Sequence, residues 1–280
     1  MQQISVVGGG TMGTGIAYVS AMSGADVIVV EPNEERAAKM SAAIEQAAAS
    51  GAQRGKLDAD HAAALVARVT RLAAINELPC GLDLVIETVS ERLDLKLDVL
   101  RDIAARDPGV IGTNTSAMSI DELSAAVANP ETFLGMHFFN PVWSIALVEL
   151  IRGDRTSELT LDTVRGFVEQ LGKTSLTVRN VPGFATSRLD LIASLEAIRM
   201  LESGVASAED IDRAAVLAYR HPVGPLRLSD IVGLDVRLDI ARTLETAHGE
   251  RFAPPQLLID MVERGELGEK SGRGFFDWPS

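Results

Sequence analysis

Short apolar runs, separated by stretches in which apolar residues recur at helical spacing, set the rhythm of the first two thirds of the chain. The runs at residues 4–7, 27–31, 69–72, 84–87, 110–112, 133–138, 147–150 and 175–178 predict strands. Residues 14–23 and the alanine-rich stretch 34–50, whose charges fall on one face, predict helices between them. Strands and helices alternating in this way build a parallel sheet covered by helices. Beyond Val181-Pro182-Gly183 the strand-like runs stop. Residues 185–203, 208–219, 227–247 and 255–264 predict helices there, interrupted by Pro222, Gly224-Pro225 and Pro254-Pro255. The expected architecture is an α/β domain over residues 1–182 followed by an all-helical domain over residues 183–280.

Composition narrows the partners. Apolar residues make up 46% of the 280 and charged residues 23%, the balance of a globular chain. Lysine and arginine number 26 against 39 aspartates and glutamates, a net charge of −13 that disfavours nucleic acid as a partner. A small anion is still compatible, because a few local donors outweigh a distant field. Cys80 is the single cysteine, so no internal disulfide forms, and a reducing, cytoplasmic setting is expected. No charged side chain precedes Asp26, but glycines at 8, 9, 10, 13, 15 and 24 break the apolar stretch, and no basic residue lies near its start. Neither a signal peptide nor a membrane span is therefore expected. The leucine-, isoleucine- and valine-rich helical part is expected to bury apolar surface against a second copy.

The segment Gly8-Gly9-Gly10-Thr11-Met12-Gly13 matches G-x-G-x-x-G between a predicted strand and a predicted helix. In that pattern the first glycine allows a tight turn, the second lets a pyrophosphate approach the backbone, and the third lets the helix pack on the sheet. The helix N-terminus then offers N–H groups and a positive dipole end to phosphates, with no basic side chain required. A purely structural glycine turn would carry the same letters. Glu31 strengthens the ligand reading, because a carboxylate about twenty residues beyond the fingerprint accepts hydrogen bonds from the adenosine ribose. Its charge favours NAD over NADP, although Arg36 stands close enough in sequence to weaken that argument.

Of four histidines, His61, His221 and His248 lie in polar, loop or helix-end settings that need no ligand. His137 differs. It ends the apolar run Phe133-Leu134-Gly135-Met136 and precedes Phe138-Phe139-Asn140-Pro141, which places the imidazole at the carboxyl edge of a sheet. Glu149 sits inside a second apolar run, Leu147-Val148-Glu149-Leu150, where a carboxylate requires a partner or an exposed edge. If the two strands are neighbours, Glu149 accepts the Nδ1 proton of His137 and fixes its tautomer.

At these residues the sequence resembles the 3-hydroxyacyl-CoA dehydrogenases, including bacterial 3-hydroxybutyryl-CoA dehydrogenases, over nearly its whole length. The resemblance rests on Gly8 to Gly15 with Met12, on Ile86-Glu87 followed by Glu91 and Lys96, and on Asn114-Thr115-Ser116. It continues through His137-Phe138-Phe139-Asn140-Pro141, Val181-Pro182-Gly183-Phe184 and Lys270-Ser271-Gly272-Arg273-Gly274-Phe275. It implies a Rossmann-type NAD-binding domain, a helical domain for substrate and dimerisation, and an acyl-CoA or acyl-carrier thioester as substrate, with no nucleic acid, membrane or metal involved. His137 would be the general base, Glu149 its orienting partner, and Ser116 a hydrogen-bonding contact to the substrate oxygen. Asn140 would shape the same pocket. Gly8, Gly10, Thr11, Met12, Gly13, Glu31, Glu91, Lys96 and Asn114 would contact the cofactor, and Lys56 the CoA phosphates. Read without the resemblance, Ser116 is equally a helix cap, Lys96 a helix-surface charge and Glu91 a first-turn dipole partner.

Two departures bear on the substrate. Ser187 stands where many members carry asparagine, so a shorter hydroxyl takes over that substrate contact. Trp143-Ser144-Ile145-Ala146 replaces a common Pro-Val-Met-Lys-like run, and an indole there is expected to reshape the acyl pocket. A dehydrogenase of a free hydroxy acid, of the gulonate or carnitine type, and a non-catalytic NAD-binding relative are the competing readings. Phe138-Phe139 beside His137 speaks against the first, since a free carboxylate calls for a nearby basic residue.

Overall fold

The computed structural model describes residues 1–55 and 57–279. Eight strands form one sheet: β1 (Gln3–Val7), β2 (Asp26–Val30), β3 (Val69–Leu72), β4 (Leu84–Glu87), β5 (Val110–Thr113), β6 (Phe133–Phe138), β7 (Leu147–Arg152) and β8 (Thr174–Arg179). Their spatial order is β3-β2-β1-β4-β5-β6-β7-β8. Strands β1 to β6 run parallel, the 3-2-1-4-5-6 order of a doubly wound dinucleotide-binding sheet. The order reverses between β1 and β4, which opens a crevice at their carboxyl ends.

The sheet is parallel except at one pairing. Strand β7 pairs antiparallel with β6, and β8 runs parallel to β7. Residues 139–146 are too few for a parallel crossover, which takes about a dozen residues or more. The short connection turns the chain back and sets His137 directly opposite Glu149.

Helices α1 (Thr11–Met22), α2 (Glu34–Gln53), α3 (Ala59–Ala67), α4 (Leu93–Ala104), α5 (Ile120–Leu123) and α6 (Glu158–Gln170) belong to the same unit, Met1–Val181. The central strands bury nearly every residue, as strands covered on both faces must. Ile4, Val6, Ile16, Val29, Ile86 and Leu134 form the middle of the core.

The second unit, Pro182–Ser280, contains α7 (Thr186–Glu202), α8 (Ala208–Tyr219), α9 (Pro225–Val232), α10 (Leu234–His248) and α11 (Gln256–Glu263). Leu191, Leu195, Leu226, Leu234 and Leu244 lead its core. The single helix predicted over 227–247 is two helices, broken at Gly233 with φ +102°. A side chain there would be strained by that φ, and its Cβ would lie 2.9 Å from Asp235 Oδ1 and 3.1 Å from Lys270 Nζ. Lys270 itself pairs with Asp235, at 2.5 Å. Fully buried Asp230 ties down the closing segment by accepting from Phe275 N, Phe276 N and Trp278 Nε1, each at 2.9 Å. A Cβ on Gly274 would lie 2.1 Å from Asp230 Oδ1, which explains the glycine in that motif. Among the described residues no helix is long and apolar enough to cross a membrane.

Candidate active site

At the β1 carboxyl end Gly8 takes φ +111°, and its N–H donates to the Val30 carbonyl at 2.9 Å. A Cβ on Gly13 would lie 1.8 Å from the Gly8 carbonyl oxygen, so only glycine lets α1 pack here. Gly10 is different, because a Cβ there would meet no atom within 4 Å. That open space above the backbone is what a phosphate approaching the chain requires. Helix α1 starts with no side-chain cap and no acidic residue in its first turn, which leaves its N–H groups and dipole for an anion. Thr11 is exposed in that turn, whereas Met12 is half-buried and packs on the core.

A cavity of about 430 Å³ adjoins this loop, lined by Gly8, Gly10, Glu31, Arg36, Thr88 and Val89 among others. Glu31, one residue beyond the end of β2, is 3% exposed. Its Oε2 accepts from Gly9 N at 3.0 Å, and its Oε1 from Asn33 N at 2.8 Å and from Arg36 Nη2 at 3.0 Å. Burial alone would push this carboxyl up, but the Arg36 guanidinium and the two N–H donors outweigh it and hold the group below its ordinary range. Thr88 braces the loop from below, its hydroxyl 3.0 Å from both the Val7 and Gly8 carbonyls. The residues present thus fit the pyrophosphate and adenosine of a dinucleotide.

Three strands away, His137 and Glu149 are register partners on β6 and β7. Nδ1 of His137 lies 2.8 Å from Glu149 Oε2, and Glu149 is fully buried. A carboxylate that accepts at Nδ1 requires the proton on that nitrogen, and in that tautomer Nε2 is the acceptor. Ser116 Oγ lies 3.2 Å from that Nε2. The Phe139 ring leans on the imidazole at a centroid distance of 4.4 Å. The result is a base with an oriented acceptor nitrogen and a hydroxyl beside it.

The loop carrying Ser116 is held by Glu91, whose Oε1 accepts from Ser116 N at 2.7 Å and whose Oε2 accepts from Thr115 Oγ1 at 3.1 Å. Asn114, expected at the cofactor, points its Oδ1 at the backbone N–H of Phe138, 3.0 Å away. It links the ends of β5 and β6, which leaves its NH₂ group for a ligand.

Lys96, for which the resemblance implies a cofactor contact, is fully buried. Its Nζ lies 2.9 Å from each Glu87 carboxylate oxygen, 3.3 Å from the Val89 carbonyl, 3.4 Å from the Asn114 carbonyl and 3.6 Å from Glu91 Oε2. An ammonium has three donors, and these acceptors occupy them. Lys96 therefore acts as an internal tie beneath the Asn114–Ser116 loop.

Its partner Glu87 was quoted in the resemblance but not singled out as a site residue. It is fully buried and also accepts from Thr113 Oγ1 and Val89 N, both at 2.6 Å. Burial pushes its carboxyl above the ordinary range despite the neighbouring ammonium. The signal was present in the sequence: a carboxylate closing the apolar run Leu84-Val85-Ile86, the same cue that marked Glu149.

The other expected residues are more dispersed. Asn140 is exposed and joined to Pro141 by a cis peptide bond. Trp143, 54% exposed, packs edge-on against Tyr18 of α1 at 6.2 Å, so its placement is set by that helix. Lys173 Nζ pins the same loop through the Val142 and Ile145 carbonyls, at 2.5 and 2.6 Å. Ser187 is half-buried in the first turn of α7, in the second unit. Lys56 lies outside the described residues. His61 pairs with Asp58 three residues away, and His248 meets the Pro182 carbonyl.

Residues 3–181 match the family profile described as 3-hydroxyacyl-CoA dehydrogenase, NAD binding domain, and residues 183–278 match the C-terminal domain of the same family. NAD is accordingly the cofactor of the first unit. A probable 3-hydroxybutyryl-CoA dehydrogenase of Deinococcus radiodurans is 37% identical over 279 residues, covering 99% of this chain and 100% of its own. A 3-hydroxybutyryl-CoA dehydrogenase of Mycobacterium tuberculosis is 38% identical over 287 residues, covering 99% of each chain. Among solved structures, the (S)-3-hydroxybutyryl-CoA dehydrogenase of Ralstonia eutropha superposes with a TM-score of 0.95 at 37% identity, covering 100% of both chains. On the sequence profiles of both units and these full-length similarities, the chain belongs to the 3-hydroxyacyl-CoA dehydrogenase family.

Proposed function

We propose that this protein interconverts an L-3-hydroxyacyl-CoA and the corresponding 3-oxoacyl-CoA, with His137 as general acid and base and Glu149 as its orienting carboxylate. The observation that carries the mechanism is the line Glu149 Oε2, His137 Nδ1, His137 Nε2, Ser116 Oγ, with separations of 2.8 Å at one nitrogen and 3.2 Å at the other. In the oxidative direction Nε2 takes the proton of the 3-hydroxyl while the C3–H bond breaks. NAD, when bound, accepts that hydride. The imidazolium that forms is stabilised by Glu149, and Ser116 donates a hydrogen bond to the substrate oxygen as it becomes a carbonyl. In reduction, His137 returns the proton to the same oxygen.

Glu91 holds the Ser116 backbone for this task, and Asn114 offers its NH₂ on the same loop. Asn140, Ser187 and Lys56 are assigned to the substrate, Lys56 through the CoA phosphates. The exposed apolar side chains of the helical unit, including Leu189, Leu217 and Tyr219 at 70%, 72% and 77%, are assigned to contact with a second copy of the chain. Sedimentation at micromolar concentration should give a dimer mass, and a monomer would remove that assignment. Unpaired Cys80 and a CoA substrate suit a cytoplasmic enzyme.

The activity is tested by following NADH absorbance with acetoacetyl-CoA and a series of longer 3-oxoacyl-CoA thioesters. Substrate-dependent oxidation is the expected result. An inert nucleotide, phosphorylated or not, with every thioester would overturn the reading.

A further inference from the structure

The adenosine end of the nucleotide groove holds more positive charge than the Glu31 signal suggests. Two guanidinium groups flank that carboxylate. Arg71 is turned to the protein: its Nε and Nη2 donate to the Glu31 backbone carbonyl at 3.0 and 2.8 Å, and its Nη1 to Glu34 at 2.8 Å. Arg36 is not. Its side chain is 58% exposed and lines the cavity, and its Nη2 pairs with Glu31 at 3.0 Å. A guanidinium carries five N–H donors, so most of this fork is available to a ligand.

A carboxylate at this position disfavours a 2′-phosphate by repulsion, and a nearby arginine favours one. Here both elements are present and bound to each other, with the Glu31 charge neutralised by the residue that would otherwise hold the phosphate. We infer that Arg36 is a ligand for the 2′-phosphate of NADP held in check by Glu31, so that the Glu31–Arg36 pair sets this chain's discrimination between the two dinucleotides. The inference rests on the dinucleotide reading of the groove. Its physical basis is that a paired fork on a phosphate is stronger than one hydrogen bond to a carboxylate, so neutralising Glu31 releases Arg36 to the better acceptor. Removing Arg36 instead leaves the Glu31 charge uncompensated and sharpens rejection of the phosphate.

The test is an equilibrium fluorescence titration of NADH and NADPH, without substrate, on the full chain and on R36Q, E31Q and E31Q/R36Q. The readout is the ratio of the NADPH to the NADH dissociation constant. The ratio should rise roughly fivefold or more in R36Q, and fall roughly tenfold or more in E31Q, as expected for one charge-assisted contact. The double variant should lose most of the E31Q fall. Because Glu31 also anchors Gly9, E31Q can loosen the loop, but R36Q leaves that anchor intact and decides alone. An R36Q ratio within about twofold of the unaltered chain, or a double variant that keeps the E31Q gain, would overturn the inference. Failure of the unaltered chain to bind either nucleotide would instead remove the dinucleotide reading itself.

Discussion

Glu149 and Glu87 are both fully buried on the same sheet, and each meets a nitrogen cation or base at hydrogen-bond distance, 2.8 Å to His137 and 2.9 Å to Lys96. The two pairs nevertheless do different things. An ammonium is a donor at one point, and the acceptors around Lys96 close it off. An imidazole has two nitrogens, so holding Nδ1 directs Nε2 outward to Ser116. One arrangement ends in the protein and ties the segments after β4 and β5 together, and the other continues through the ring to Ser116. A buried carboxylate is therefore a poor guide to catalysis until its partner's second contact is known.

The sharpest test of that contrast is H137Q, which removes the ring. Turnover of acetoacetyl-CoA should fall by about a hundredfold to ten-thousandfold while NADH still binds by fluorescence titration. A variant that keeps its turnover would erase the distinction between the two pairs. On the other side, K96M should destabilise the chain by about 3–5 kcal/mol in urea unfolding, because it leaves the Glu87 charge buried without its partner. Replacing both residues, as in K96M/E87L, should recover most of that loss. If K96M costs less than about 1 kcal/mol, water or another group compensates Glu87, and the description of Lys96 as a tie is wrong.

Loss of orientation should cost less than loss of the base. E149Q is expected to lower turnover about a hundredfold, with NADH affinity maintained, since the neutral amide supports the imidazolium poorly. Unchanged turnover would leave the base assigned without an orienting carboxylate.

Much of this was legible in the sequence where the constraint is local. The fingerprint glycines could be read because each has a steric task between adjacent elements, and Gly13 against the Gly8 carbonyl is such a case. Glu149 could be read because a carboxylate in an apolar strand needs a partner, and His137 was the available one. Lys96 could not, since a lysine at helical spacing looks the same whether its amine meets water or Glu87. The break at Gly233 lies in a φ of +102°, which apolar spacing does not report, so helical periodicity ran straight through it. The turn of β7 was hidden for a related reason: apolar runs report burial, and strand direction follows from the length of the connection. For Asn114 the motif names the residue but not the direction of its side-chain carbonyl, which accepts from the Phe138 N–H.

A third carboxylate, Glu31, marks the small end of the scale. It is buried like the other two, but hydrogen bonds from Arg36, Asn33 and Gly9 hold its pKa down, whereas burial carries that of Glu87 up. The sign follows directly. A carboxyl whose folded pKa lies below its unfolded one releases its proton more readily in the native state, so the unfolded chain binds more protons in acid. The stability Glu31 contributes is present above the ordinary glutamate range and is lost as pH falls through the lowered folded value. Thermal unfolding of the ligand-free chain and of E31Q, compared between about pH 6 and pH 3, should show a gap in melting temperature of a few degrees that closes toward acid. A gap that stays constant across this range would mean that Glu31 contributes through its shape and hydrogen bonds alone, and that its charge is already cancelled by Arg36 in both states.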